Sequence, residues 1–271
     1  MSRESPEVQG LFDLIAECLP LAVELDAPVF RSAGVKYANE KDFVSGEGAG
    51  YNGGRWNPPG IKAIYASLDP VTAVKESFQE FAKYGFKSTD IKPRVIAGAK
   101  VNVRRLLDLT DARIRRKLGF PLDELTQEDW AAIQNAGEES WTQAIGRGCR
   151  AAGFEGLLAP SARHRPGKNV VVFPDKLDSD SSVDLIAPDE LPPHPSQWAR
   201  QPALLQVFVL AFVCPVRYSS LRRKGHEKET QMRTKPKIRK KRRKSSVRPI
   251  AIPGLDGVRI VKVKGETKLE L

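Results

Sequence analysis

Apolar positions along this chain follow two different periods. After Ser5-Pro6, residues Leu11, Leu14, Ile15, Cys18 and Leu19 fall on one side of a helix, with Ser5 as its cap and Pro6 in its first turn. At 61–68 the period becomes two. Ile64, Ala66 and Leu68 point one way while Ala63, Tyr65 and Ser67 point the other, which predicts a strand with one apolar face and one face bearing two hydroxyls. Asp69-Pro70 then opens a helix to about Tyr84, with Val71, Val74, Phe78, Phe81 and Ala82 as its buried stripe.

The same signals continue downstream. RVIAGAKVNV (94–103) reads as a strand, and Thr110 as the cap of a short helix stopping near Gly119. Two helical stretches follow, one opened by Thr126 and one carrying Trp141, Ala144, Ile145, Cys149 and Ala152. FEGLLAP (154–160) and NVVVFP (169–174) read as core strands on either side of the polar loop SARHRPGK. Helices and strands mix without a regular βαβ alternation, so the fold class is α+β rather than a doubly wound sheet.

Beyond Phe173 the pattern changes. Residues 175–198 are acidic and then proline-rich, as in a closing loop or linker. The apolar run 203–216, broken by Gln206, is short of the roughly 20 residues that a bilayer span needs, and a buried strand or helix is favoured over membrane insertion. VRPIAIPGLDGVRIVKVKG (247–265) has the form of an isolated hairpin turning at Pro253 to Gly257.

Charge separates the two regions. The formal net charge of +11 suggests an acidic partner until it is located: residues 201–271 hold 19 Lys/Arg against 5 Asp/Glu, whereas residues 1–200 hold 25 against 28. The basicity belongs to the tail. The cysteines, Cys18, Cys149 and Cys214, lie far apart with no CxxC pair, which fits a reducing cytoplasm better than a disulfide framework. Glu4, Glu7, Asp13 and Glu17 occupy the N-terminal stretch where an export signal would be basic and then apolar.

The segment GYNGGRWNPPG (50–60) reads as a shaped loop around Arg55-Trp56, since glycine widens and proline narrows the backbone's options. Gly48 to Gly53 match GxGxxG, but no strand precedes them and Asn57-Pro58-Pro59-Gly60 forbids the helix that a dinucleotide fingerprint requires. His164, His194 and His226 stand alone without ligand spacing, so no metal site is expected. Ser161 near His164 lacks a nucleophile-elbow glycine pattern, and a loop hydroxyl is its commoner meaning. By periodicity Glu76 lies opposite the apolar stripe of its helix, as a solvated carboxylate would, and Arg31 after APVF reads as an edge-strand charge.

Taken in order, PVFR (28–31), GGRWNPPGIKAIYAS (53–67), the helix with Glu76, GLLAPSAR (156–163) and NVVVF (169–173) resemble the RES domain family, the toxin halves of RES–Xre toxin–antitoxin pairs. The resemblance spans about 25–195 and implies an ADP-ribosyltransferase-like fold, with a split, curved β-sheet and surrounding helices, that acts on NAD+ as substrate with no prosthetic group. It implies cleavage of the nicotinamide–ribose bond, the ADP-ribosyl group passing to water, phosphate or a protein. By the same resemblance Arg31 and Arg55 are the pocket arginines, Tyr65 the aromatic on the strand face, Glu76 the acidic residue and Ser161 the serine. Ser67 and Asn169 join Arg31, Arg55 and Tyr65 in holding NAD+. The chemistry suits these types: arginine forks hold a pyrophosphate, an aromatic ring stacks on nicotinamide or ribose, and a carboxylate stabilises an oxocarbenium-like ribose. Glu76 must then face the pocket rather than water, against its periodicity. The implied partner is an Xre-type helix-turn-helix antitoxin.

Three regions result: an N-terminal helix packing on the body (1–24), the RES-like domain (25–198), and an apolar segment with a basic, poorly ordered tail (199–271). Between Arg233 and Arg248 stand 10 Lys/Arg in 16 residues, enough for non-specific, salt-dependent phosphate contact. A nucleic-acid-binding or interaction protein acting through this tail is the competing reading, and an inactive toxin remnant extended by a frameshift or fusion is a third.

Overall fold

The computed structural model describes residues 5–83, 94–197, 250–251, 259–263 and 266–270. The chain divides into two units, Met1–Cys214 and Pro215–Leu271. In the first, α1 (Pro6–Ala16) leads into β1 (Val23–Gly34), then α2 (Glu40–Ser45), α3 (Glu47–Asn52), β2 (Ile64–Ser67), α4 (Pro70–Lys83) and β3 (Arg94–Asp108). Next come α5 (Ala112–Leu118), α6 (Leu122–Gln127), α7 (Trp130–Asn135), α8 (Trp141–Ala151), β4 (Gly156–Pro160), β5 (Lys168–Val172) and β6 (Ser182–Leu185).

The two long strands carry the sheet. β1 and β3 pair antiparallel from Val23↔Leu106 to Gly34↔Arg94. The other edge of β3 is shared by β6, antiparallel at Ala99 to Asn102, and β4, parallel at Leu106 to Asp108. β5 lies antiparallel between β4 and β2, and β2 returns to β1 through the single register pair Phe30↔Ser67. The order β1-β2-β5-β4-β3-β6, with β1 also against β3, is a mixed sheet curved until it meets itself. The fold is thus mixed α/β, with helices outside a curved mixed sheet.

Both faces of β5 are buried, which explains its unbroken apolar run. Val171 packs with Leu157, Phe173, Ile145 and Cys149 and with Leu11, Ile15 and Cys18 of the N-terminal helix segment. Val170 and Val172 pack instead with Val29, Ile64, Val101 and Val103. α1 follows its sequence pattern, with Ser5 accepting from the Val8 N–H and Pro6 at the start. α8 opens on a capping box between Ser140 and Gln143.

Several expectations need correction. The strand predicted at 61–68 is Ile64–Ser67, and the opening of GYNGGRWNPPG is helical, because α3 runs to Asn52. Asp111, not Thr110, caps α5, its carboxylate accepting from the Arg113 N–H at 2.7 Å. Thr126 lies in the last turn of α6, where its hydroxyl donates to Leu122 O, so it opens nothing. The segment 175–198 contains β6, too short and polar for its alternation to register. Among the α4 side chains that the structure describes, Thr72 and Ala73 are buried and Val71, Val74 and Phe78 half-buried; Phe81 and Ala82 of the expected stripe lie outside them.

In the second unit β7 (Ile250–Ala251), β8 (Arg259–Val263) and β9 (Glu266–Glu270) form an antiparallel sheet. The expected hairpin pairing appears as Ile250↔Ile260, and β9 adds a third strand. The turn at 253–257, the apolar run 203–216 and the basic run 233–248 lie outside the described residues. Among the described residues no helix is long and apolar enough to cross a membrane.

Candidate active site

Arg55 and Trp56 occupy the centre of a tight turn closed by Gly54 and Asn57, whose backbones exchange hydrogen bonds of 2.8 and 3.3 Å. Asn57 is fully buried and staples the loop. Its Nδ2 donates to Ala49 O at 2.9 Å and Ile61 O at 2.8 Å, while its Oδ1 accepts the Tyr65 hydroxyl at 2.7 Å. That hydroxyl in turn accepts the Trp56 N–H at 2.8 Å. A Cβ on Gly54 would lie 2.5 Å from the Tyr65 hydroxyl and 2.9 Å from Asn57 Oδ1, so only glycine fits there. Gln143 Nε2 donates to Gly54 O at 3.1 Å. Gly146 of the same helix leaves room for the Trp56 carbonyl, and Trp56 is only 3% exposed.

Arg55 reaches away from its turn, Nη1 donating to Leu125 O at 3.1 Å and Glu128 O at 3.0 Å at the end of α6. The Glu128 carboxylate accepts from the backbone N–H groups of Trp141 and Thr142 at 2.8 and 2.9 Å. It thereby ties this connection to the α8 N-terminus, where a negative charge is favoured.

The loop forms one side of a cleft of about 580 Å³. β2 and β5 contribute Tyr65, Ser67 and Asn169; α4 contributes Ala73, Glu76 and Ser77; Phe30, Ser32 and Arg94 come from β1 and β3; Trp130 and Arg163 also line it. Glu76 faces inward. Its Oε1 accepts from Ser161 Oγ at 2.5 Å and Asn169 Nδ2 at 2.8 Å, and Asn169 Oδ1 accepts from Ser67 Oγ at 2.8 Å.

The rotation of α4 follows from its first turn. Asp69 accepts the Thr72 N–H at 2.8 Å and the Thr72 hydroxyl at 2.5 Å. Having donated there, that hydroxyl accepts from His164 Nδ1 at 2.8 Å, which assigns the proton to Nδ1. A buried, fully bonded Thr72 turns the polar side of α4 toward the sheet and carries Glu76 with it. The solvated carboxylate expected from periodicity is therefore replaced by one inside the cleft.

Ser161 is buried, accepting from the backbone N–H groups of Arg163 at 3.2 Å and His164 at 2.9 Å while it donates to Glu76. The His164 ring faces Thr72, so Ser161 and His164 make no nucleophile–base pair. Arg31 is absent from the cleft lining. It shares the face of Val29, between Phe30 and Ser32, and its Nη1 donates to Tyr65 O at 2.9 Å. Burial, with the nearby Arg94 charge, pushes its pKa down to about 10. Burial and then Arg163 lower that of Arg55, and burial raises that of Tyr65.

Trp130 and Arg94 of the cleft lining, and Asn57, Glu128 and Gln143 that brace the Arg55-Trp56 turn and its contacts, are absent from the sequence-based set of site residues. Gln143 has a signal in the spacing Ser140-x-x-Gln143, whereas Asn57 reads in the sequence as part of a helix-breaking run and of the GGRWN motif, with no role of its own. Among the described residues no group of three or more His, Cys, Asp or Glu side chains is placed to hold a metal ion.

The RES domain family profile matches residues 28–201. The NAD(+) phosphorylase MbcT of Mycobacterium tuberculosis H37Rv is 33% identical over 137 residues, which cover 47% of this chain and 72% of that protein. The Mycobacterium bovis protein of the same name gives the same figures, 33% over 137 residues. Among solved structures, the crystal structure of the M. tuberculosis MbcT–MbcA toxin–antitoxin complex matches with a TM-score of 0.51 and 24% identity, covering 66% of this chain and 90% of that one. At that identity the likeness is one of fold. With the profile spanning more than half of its length, this chain belongs to the RES domain family.

Proposed function

We propose that this chain is a toxin that consumes NAD+, breaking the nicotinamide–ribose bond and passing the ADP-ribosyl group to inorganic phosphate. The observation that carries the reading is the inward Glu76 carboxylate, held at Oε1 by Ser161 and Asn169. Among the described residues Oε2 has no hydrogen-bond donor, which leaves it for the ribose. Nicotinamide departs neutral with the bonding electron pair, so the step needs no general acid. Positive charge develops on the ribose, and a fixed carboxylate in the cleft stabilises it. A phosphate oxygen then bonds to the anomeric carbon, giving ADP-ribose 1″-phosphate. The MbcT proteins, named NAD(+) phosphorylases, support phosphate over water or a protein side chain as acceptor.

Arg55 contributes positive charge for the pyrophosphate, and the Tyr65 ring and Ser67 face the nicotinamide ribose. Ser161 and Asn169 position Glu76. Arg31 acts from the opposite face of β1, through the Tyr65 carbonyl. The curved sheet supports reading the fold as ADP-ribosyltransferase-like, and the MbcT–MbcA complex supports an antitoxin partner, which we assign to the Xre helix-turn-helix type.

The test is to incubate the purified full chain with NAD+ at varied phosphate and to separate the products by chromatography. Phosphate-dependent release of nicotinamide with ADP-ribose 1″-phosphate is expected, falling by at least about 10²-fold in Glu76→Gln. A wild-type chain that releases no nicotinamide at any phosphate concentration would overturn the proposal.

A further inference from the structure

The charge of the cleft is unbalanced. Among its lining residues three are arginines, Arg55, Arg94 and Arg163, and Glu76 is the acidic one. They do not act as one group. Arg55 is held at Leu125 O and Glu128 O, whereas Arg94 is held at Ser32 on the β1–β3 wall.

Arg94 is built into its wall. It stands opposite Gly34 in the β1–β3 register, which puts its side chain on the Ser32 face of the sheet. Its Nε donates to Ser32 Oγ at 2.9 Å and its Nη2 to Ser32 O at 3.2 Å. Nη1 has no partner, and no carboxylate pairs with this guanidinium, among the described residues. Burial lowers its pKa. A guanidinium so fixed and partly withdrawn from water is costly until an anion meets it, and its fork suits phosphate oxygens.

We infer that Arg94, oriented by Ser32, binds a phosphate group in this cleft. The inference rests on the proposed NAD+ reaction, which offers two sources of the same chemistry: the pyrophosphate of the dinucleotide and the free phosphate acceptor. Arg94 takes its oxyanion on the β1–β3 wall, apart from Arg55.

The experiment is steady-state kinetics of the full chain as wild type, Arg94→Gln and Arg94→Lys, varying NAD+ at saturating phosphate and then phosphate at saturating NAD+. A KM rise of about tenfold or more is expected in Arg94→Gln on one axis. A rise for phosphate assigns the acceptor, and a rise for NAD+ assigns the pyrophosphate. Unchanged KM values on both axes would overturn the inference. Ser32→Ala, which leaves the charge and removes one orienting acceptor, should raise the same KM by a smaller factor and keeps the test open if the Arg94 variants do not fold. Absence of turnover in the wild type would instead remove the NAD+ reading. Calorimetric binding of inorganic phosphate and of ADP-ribose, wild type against Arg94→Gln, would then still decide: weaker binding of either upholds the inference, and equal binding or none to the wild type ends it.

Discussion

Ser161 Oγ donates to Glu76 Oε1 at 2.5 Å across 85 residues of chain, and the same oxygen takes Asn169 Nδ2 from 93 residues away. Two neutral donors on one oxygen hold the carboxylate without neutralising it. Ser161→Ala and Asn169→Ala should each lower kcat for NAD+ consumption by about 10- to 100-fold with little change in KM. Initial rates across a range of NAD+ concentrations check this. A change confined to KM would count against a positioning role.

The Tyr65 hydroxyl sits between the Trp56 N–H and Asn57 Oδ1. Tyr65→Phe keeps the ring facing the cleft and leaves both groups without that partner. A loss of about 1–3 kcal/mol is expected, read from urea unfolding followed by tryptophan fluorescence.

Gly146 and Gly10 should respond oppositely to alanine. A Cβ at Gly146 meets the Trp56 carbonyl, whereas at Gly10, on the exposed side of α1, it meets nothing within 4 Å. Gly146→Ala is expected to cost about 1–3 kcal/mol by overpacking. Gly10→Ala should add about 0.4–1 kcal/mol. Melting temperatures measured side by side give the comparison.

Acid stability should depend on Glu155, whose side chain is 0% exposed. Burial raises its pKa, but hydrogen bonds outweigh that, among them the N–H groups of Arg104 at 2.7 Å, Arg105 at 3.0 Å and Asp178 at 3.2 Å, and the net shift is downward. A folded pKa below the unfolded one means that the unfolded chain binds the proton more readily. The contribution is therefore complete above the unfolded value of about 4.3 and is lost as pH falls through the lower folded value. Glu155→Gln should be less stable at pH 7 by about 2–4 kcal/mol, with a flatter acid limb below about pH 4. Denaturation at stepped pH tests both.

Local pattern was enough for α1, for the two faces of β2 and for the continuous burial of β5, because each is set by neighbours within a few residues. Glu76 shows where that ends. Helical period puts Glu76 on the polar side of α4, but whether that side meets water or a cleft is decided by the bond of Thr72 to His164 and by Ser161 and Asn169, far along the chain. Asp111 caps α5 in place of Thr110, a choice between two adjacent residues of cap-forming type that sequence leaves open. Arg31 fell on the other face of β1 from Phe30 and Ser32, a one-residue matter of register that a four-residue motif does not contain. The family motif brought Glu76, Ser67, Asn169 and Ser161 to notice together, and the structure joins these four by hydrogen bonds.

The staple at Asn57 changes what a genetic selection would report. If cells are made to survive expression of this chain, escape substitutions will gather in GGRWN whether or not any of its side chains meets substrate, since Asn57, Gly54 and Trp56 knit α3, β2 and α8 together. A harmless protein recovered with a change there identifies a folding lesion first. Survivors altered at Glu76 or Arg94, with the protein still abundant in the cell, would be the informative ones.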